Sequence, residues 1–230
     1  MELKSKHSKN IGIVGLGLIG GSLGLDLQKL GYTVYGITHR EHTAHKARER
    51  KLAQIVSTDA SLLKNCSLIF IALPLEQLLN PSSALINAIP RNAVVTDVGS
   101  VKESVILEVQ KKLPKGVFFV PAHPLAGTEN SGPSAGFASL FENRWCILTP
   151  SKNVPIEIIK KVKFFWEQLG SNVVEMDAKH HDLVLSVTSH APHLIAFTMV
   201  GVADEFSKVT NSEVINYSAA GFRDFTRIGS

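Results

Sequence analysis

Short apolar runs alternate with longer amphipathic stretches over the first 177 residues of the chain. The runs NIGIVG (10–15), YTVYGIT (32–38), SLIFIAL (67–73), AVVTDVG (93–99), VFFVPA (117–122), WCILTP (145–150) and NVVEMD (172–177) predict strands. Each is rich in Val, Ile, Leu or aromatic residues and bounded by turn formers. Helical spacing predicts helices over 18–30, 41–52, 75–88, 101–113 and 155–169. Strand–helix alternation, with strands apolar on both faces, predicts an α/β fold built on a doubly wound, mostly parallel sheet. After Asp177 the pattern changes to about 30 residues of helical periodicity, interrupted only by Pro192, with no later strand. This predicts a boundary at 177/178 and an all-helical second domain over 178–230. That domain opens with a helix apolar around much of its circumference, as suits one packed in a bundle or dimer. The terminus GFRDFTRIGS reads as a cut through it.

Composition narrows the class. Hydrophobic residues make up 44% of the chain, ample for a core, and the net charge of +4 comes from basic residues scattered among carboxylates. That scatter argues against a nucleic-acid footprint. The two cysteines, Cys66 and Cys146, are far apart with apolar neighbours, as expected of reduced thiols in a cytoplasmic protein and not of a disulfide or zinc site. The basic start followed by IGIVGLGLIGGSLGLDL imitates a signal peptide, but the run is glycine-dense and contains Asp26. No other apolar run approaches about 20 residues, so neither a transmembrane helix nor a membrane partner is expected.

Within that first run, Gly15, Gly17 and Gly20 form G-x-G-x-x-G directly after a strand and at the opening of a helix. The first glycine permits a tight turn, the second admits a pyrophosphate close to the backbone, and the third lets helix and strand approach. The N–H groups of the helix start, at Leu18 and Ile19, then face the phosphates. The expected first domain is therefore a Rossmann-type dinucleotide-binding domain over 1–177. An NAD site usually ends its second strand with Asp or Glu. Here Thr38, His39 and Arg40 follow, with Thr43 close behind. A hydroxyl, an imidazole and a guanidinium suit a 2′-phosphate, so the expected cofactor is NADP, with NAD the alternative.

Of nine histidines, three stand out. His123 ends an apolar run in VFFVPAHPLAGTE, at the edge of the sheet where such folds hold ligands. Neutral imidazole there could accept a proton as a hydroxyl-bearing carbon loses hydride. Ser100 occupies the equivalent place after VVTDVG. His190 and His193, in SHAPH, share a helix face. Their spacing can suit a metal, but with no evident third ligand they are expected to contact substrate, and no metal is expected. His180 and His181, beside Lys179 and Asp182, read as exposed. Arg227 could pair with Asp224 or Glu129, or hold a substrate carboxylate.

The motifs GLGLIGGSLG, TDVGSVK, HPLAGTE, SHAPH and GFRDFTRI, in this order and spacing, resemble the prephenate/arogenate dehydrogenases of tyrosine biosynthesis. The resemblance spans residues 10 to 230. GITHREHTAHKARERKL further resembles the cyanobacterial-type arogenate dehydrogenases, which use NADP; relatives of that kind carry Arg where this chain has His39, with Arg40 next to it. The resemblance implies oxidative decarboxylation of a cyclohexadienol, arogenate, to the phenol tyrosine. It assigns proton acceptance to His123, orientation of the ring hydroxyl to Ser100 and carboxylate binding to Arg227. Thr128, His190 and His193 line the substrate pocket, and Glu129 and Asp224 gate it. It also implies a homodimer through helices that continue beyond DFTRI. The alternatives are a prephenate dehydrogenase forming 4-hydroxyphenylpyruvate with NAD(P), and a nucleotide-binding paralogue without turnover. A β-hydroxyacid dehydrogenase would need a catalytic lysine in the helical domain, where Lys208 is in a polar setting.

Overall fold

The computed structural model describes residues 9–209 and 213–226, with the side chains of 207–209, 214 and 215 left aside. Arg227 and the side chain of Lys208 therefore lie outside the described residues. The chain divides into two units, Met1–His181 and Asp182–Ser230, so the division falls a few residues past the expected boundary.

In the first unit, β1 (Asn10–Val14), α1 (Leu18–Lys29), β2 (Thr33–Ile37), α2 (Glu41–Glu49), β3 (Ile55–Ser57), a 3₁₀ helix (Ala60–Asn65) and β4 (Leu68–Ile71) come first. They are followed by α3 (Leu75–Leu79), α4 (Ser83–Ala88), β5 (Val94–Asp97), α5 (Glu103–Lys112) and β6 (Phe118–Phe119). These six strands form a sheet of order β3-β2-β1-β4-β5-β6, parallel at every pairing. That order is the dinucleotide-binding one, reversing between β1 and β4. The sheet is buried on both faces. In β4, Leu68 and Phe70 join one apolar cluster with Leu23 and Leu27 of α1, while Ile69 and Ile71 join another with Val105 and Val109 of α5. Two covered faces explain why the strands lack polar alternation.

A second sheet was not foreseen. It consists of β7 (Ala122–Pro124), β8 (Trp145–Leu148) and β9 (Asn172–Glu175), with β7–β8 antiparallel and β8–β9 parallel across α6 (Ile156–Gln168). The run VFFVPA thus serves two sheets. Val120 still bonds Val95 of the large sheet, whereas the carbonyl of Pro121 accepts from Thr149 beside β8. Pro121 has no N–H to continue the first ladder, so the chain changes partner there. The sequence reading also missed β3 and joined α3 to α4, which Asn80-Pro81-Ser82 separates. Trp166 of α6, fully buried, stacks edge-on against Phe70 and Phe141 at centroid distances of 5.8 and 5.4 Å. Both cysteines are free and buried, and burial pushes the Cys66 thiol up to about 12.

One helix crosses the division: α7 (Ala178–Leu185), a π turn (Ser186–His190) and α8 (Ala191–Val209). Pro192 does not interrupt it. The wider π turn just before the proline relieves the crowding that its ring would impose on an α-helical carbonyl. Two short helices follow, α9 (Glu213–Asn216) and α10 (Ala220–Thr226). Contrary to expectation, Ala178–Phe206 is apolar enough, by length and composition alone, to cross a membrane. Interspersed His, Ser and Thr hide this from a search for unbroken apolar runs. Leu194, Phe197 and Phe206 of α8 are each more than half exposed in the single chain.

Candidate active site

The glycine turn has the geometry its residue types require. Gly15 sits at φ +91°, and a Cβ there would lie 2.3 Å from the Ala72 carbonyl. A Cβ on Gly20 would lie 1.9 Å from the carbonyl of Gly15, so helix and turn touch backbone to backbone. Gly17, the N-cap of α1, has nothing within 4 Å of its would-be Cβ. That open space lies where Leu18 and Ile19 begin the helix, with no acidic residue in its first turn. A backbone exposed at a helix N-terminus and free of carboxylates fits a pyrophosphate.

Beyond the ends of β1 and β2 lies a cavity of about 580 Å³ whose wall includes Val14, Ile37, Thr38, His39 and Leu73. Thr38 is buried, with its hydroxyl donating to the Arg40 carbonyl at 3.2 Å. Arg40 caps α2 through its backbone, and neither its side chain nor Thr43 is among the cavity-lining groups. Two residues that the sequence reading passed over do line it: Asp59 and Lys64. Asp59 accepts from the Ser61 hydroxyl at 2.6 Å and the Ser61 amide at 2.8 Å, and these bonds hold its carboxyl below the usual range. A carboxylate is therefore present on this wall, contributed from the end of β3 instead of β2. The unrecognised strand β3 hid it.

His123 lies within β7, opposite Ile147 of β8, and is 8% exposed. It does not stand beyond the end of a large-sheet strand, because the turn at Pro121 redirects the chain first. Its Nδ1 is 2.9 Å from Nε2 of His181. His181 is fully buried, which corrects the reading of it as a surface residue; its neighbour His180 is exposed. On α7, His181 falls in phase with buried Leu185, so helical spacing places it inward despite charged neighbours. Ser100 is exposed in the loop between β5 and α5.

The two residues that bound that loop are further groups that sequence reasoning missed. Asp97 and Lys102, both fully buried, form an ion pair at 2.5 Å. Lys102 Nζ also donates to the Ala122 carbonyl at 2.8 Å, and the Ala122 amide donates to Asp97 Oδ1 at 3.2 Å. Asp97 Oδ2 accepts the Gly99 amide at 2.8 Å. Cys146, on β8 opposite Pro124, has its thiol pushed well above the ordinary range by burial.

Thr128 and Glu129 are exposed in the loop after β7, where the Thr128 hydroxyl accepts the Asn130 amide. Farther along, this segment is tied to α1: Ser22 Oγ accepts the Phe137 amide and the Asp26 carboxylate accepts that of Ser139. His190, His193 and Asp224 belong to the second unit. His193 Nδ1 lies 2.8 Å from the Ser189 carbonyl; a carbonyl only accepts, so Nδ1 carries the proton.

Comparison with known proteins identifies the assembly. Residues 23–175 match the model for the prephenate dehydrogenase nucleotide-binding domain, and residues 177–230 that for the prephenate dehydrogenase dimerization domain. The chain belongs to the prephenate dehydrogenase family. It is 37% identical over 225 residues to the cyclohexadienyl dehydrogenase of Zymomonas mobilis, covering 96% of this chain and 76% of that one. Identity to the Bacillus subtilis prephenate dehydrogenase is 36%, over 95% of this chain but only 60% of the relative. Among solved structures, the Aquifex aeolicus prephenate dehydrogenase in complex with hydroxyphenyl propionate and NAD+ superposes with a TM-score of 0.86 at 33% identity, covering 98% of this chain and 79% of that one. Synechocystis arogenate dehydrogenase superposes with a TM-score of 0.78 at 30% identity, over 96% and 79%. The chain is thus a member of an oxidoreductase family with a nucleotide-binding Rossmann unit.

Proposed function

We propose that this family member catalyses the oxidative decarboxylation of arogenate to tyrosine, with hydride transfer to NADP. The observation that carries the reading is the buried His123–His181 contact at 2.9 Å. A base needs a partner that fixes its ring and tautomer. With the Nδ1 proton of His123 directed to His181, the lone pair lies on Nε2, the nitrogen that takes the proton from the ring hydroxyl. The Nδ1–H bond then strengthens as the imidazolium forms. Ser100 orients the hydroxyl, Arg227 holds a substrate carboxylate, and His190, His193 and Thr128 line the pocket. Glu129 and Asp224 gate it. The oxidised nicotinamide, when bound, supplies the hydride acceptor; Gly15, Gly17, Gly20, Leu18 and Ile19 would hold its pyrophosphate. Thr38 and His39, on the cavity wall, would face the ribose 2′-phosphate, with Arg40 and Thr43 as further members of the proposed site outside that lining. The exposed apolar residues of α8 support a homodimer through the helical unit, and the protein works in the cytoplasm.

A second reading is a prephenate dehydrogenase using NAD; its cofactor half draws support from Asp59, an ionised carboxylate on the cavity wall suited to a ribose hydroxyl and opposed to a phosphate. Initial rates of nicotinamide reduction, measured with arogenate and prephenate and with NADP and NAD, separate the two. The first reading expects the arogenate–NADP pair to give the highest kcat/KM; a preference for prephenate with NAD replaces it with the second. Absence of turnover with tight nucleotide binding indicates a non-catalytic paralogue. His123→Asn is expected to abolish turnover while leaving nucleotide affinity in place.

A further inference from the structure

We infer that the buried Asp97–Lys102 ion pair is a clamp that sets Ser100 and His123 in register with each other. This rests on the functional reading above, since it concerns how that site is held.

The geometry is economical. Asp97 ends β5 and Lys102 precedes α5, so the short span between them contains Ser100. Their contact at 2.5 Å closes this span into a loop, and the Gly99 amide on Asp97 Oδ2 tightens it from within. The same two side chains take both backbone polar groups of Ala122: its carbonyl by Lys102 and its amide by Asp97. Ala122 immediately precedes His123. One pair of charges therefore grips the loop of the hydroxyl donor and the strand of the base, across the junction between the two sheets.

Burying two full charges carries a desolvation cost that their mutual attraction offsets only with good geometry and additional hydrogen bonds. An apolar pair would fill this volume more cheaply, but it could not hold the two backbone groups of a strand that Pro121 has detached from the main sheet. Asp97 and Lys102 are accordingly positioning residues, acting through Ser100 and His123 and not on substrate themselves.

The test uses Lys102→Met, Asp97→Asn and the double variant, in which no uncompensated charge remains. Two readouts are taken per nucleotide-binding site, titrated by fluorescence quenching so that lost yield does not count as lost rate. The first is steady-state kinetics. A misplacement of about 1 Å can cost about a hundredfold in rate, so kcat is expected to fall by that order in the double variant. KM for the nucleotide should stay within about threefold, the pattern of an interaction felt in the transition state alone. Because the two residues act as a unit, the double variant should lose no more than the worse single variant. The second readout needs no turnover: the imidazole N–H proton shared between His123 and His181, seen by NMR and assigned through its loss in His181→Leu. It is expected to shift or broaden in all three variants. A double variant that binds nucleotide and keeps both kcat and this resonance at wild-type values overturns the clamp. If the wild type itself oxidises neither cyclohexadienol, the functional reading fails separately, and the resonance alone still decides whether the pair holds His123.

Discussion

The His123–His181 contact gives the sharpest quantitative expectation. Replacing His181 with Leu keeps an apolar side chain of similar reach in a fully buried position but deletes the nitrogen 2.9 Å from His123 Nδ1. Losing a hydrogen bond to a charged group costs about 1.5–3 kcal/mol. If that cost is felt when His123 becomes cationic, each 1.4 kcal/mol lowers the rate about tenfold, so kcat should fall about tenfold to a hundredfold. Part of the cost is also paid in the resting fold, where a unit of this size loses about 2–4 °C in Tm per kcal/mol. The assay is steady-state oxidation with saturating nucleotide, alongside thermal unfolding and nucleotide titration on the same preparations. The expected result is a lowered kcat, a modestly lowered Tm and unchanged nucleotide affinity. A His181→Leu protein that binds nucleotide and turns over at the wild-type rate would show that His181 merely fills space behind the base.

Gly20→Ala places a Cβ 1.9 Å from the Gly15 carbonyl, whereas Gly17→Ala meets nothing within 4 Å. The first should therefore lower both Tm and nucleotide affinity, and the second should spare Tm while weakening nucleotide binding at least tenfold, on the order of one lost close backbone–phosphate contact; equal Tm losses would remove the distinction. Asp59→Asn removes a negative charge from the cavity wall and should raise the NADP-to-NAD ratio of kcat/KM, because a 2′-phosphate would no longer face a carboxylate; an unchanged ratio places the 2′-group elsewhere. Asp26 has its carboxyl raised, chiefly by burial, with the Ser139 amide opposing. It therefore binds its proton more tightly folded than unfolded, and its contribution to stability is present below the ordinary carboxyl range and lost as pH rises through the raised folded value. Asp26→Asn, which still accepts from Ser139, should flatten that fall in a series of denaturant titrations across acidic pH.

The large sheet was legible because parallel strands covered on both faces leave continuous apolar runs, and every predicted strand contributes to one of the two sheets. What escaped were features whose signal is shorter than the window that reads them. β3 spans only Ile55–Ser57, and with it went the approach of Asp59 to the cavity beyond β1 and β2. VFFVPA reads as one strand because its apolar character is unbroken; only the missing N–H of Pro121 marks where the chain changes sheets. His123 was expected beyond the end of a large-sheet strand; it lies instead within β7 of the small mixed sheet, which this run did not reveal.

The chemical site divides along similar lines. A glycine turn is visible because Gly15 and Gly20 each answer a local steric demand. A positioning pair such as Asp97 and Lys102 is not, since five residues apart in a loop is no helical or strand period, and nothing local reveals that their joint partner is the backbone of residue 122. His181 lies between these cases. Its neighbours Lys179, His180 and Asp182 argue for a surface, yet burial on α7 repeats every four residues through His181 and Leu185. Local polarity and helical phase disagreed there, and phase decided the outcome: a helix turns about 100° per residue, so the side chains beside His181 in sequence point away from it in space. The same phase argument applies to any histidine flanked by charges on an amphipathic helix, and where it predicts burial a polar partner has to be sought, because imidazole nitrogens are rarely left without one.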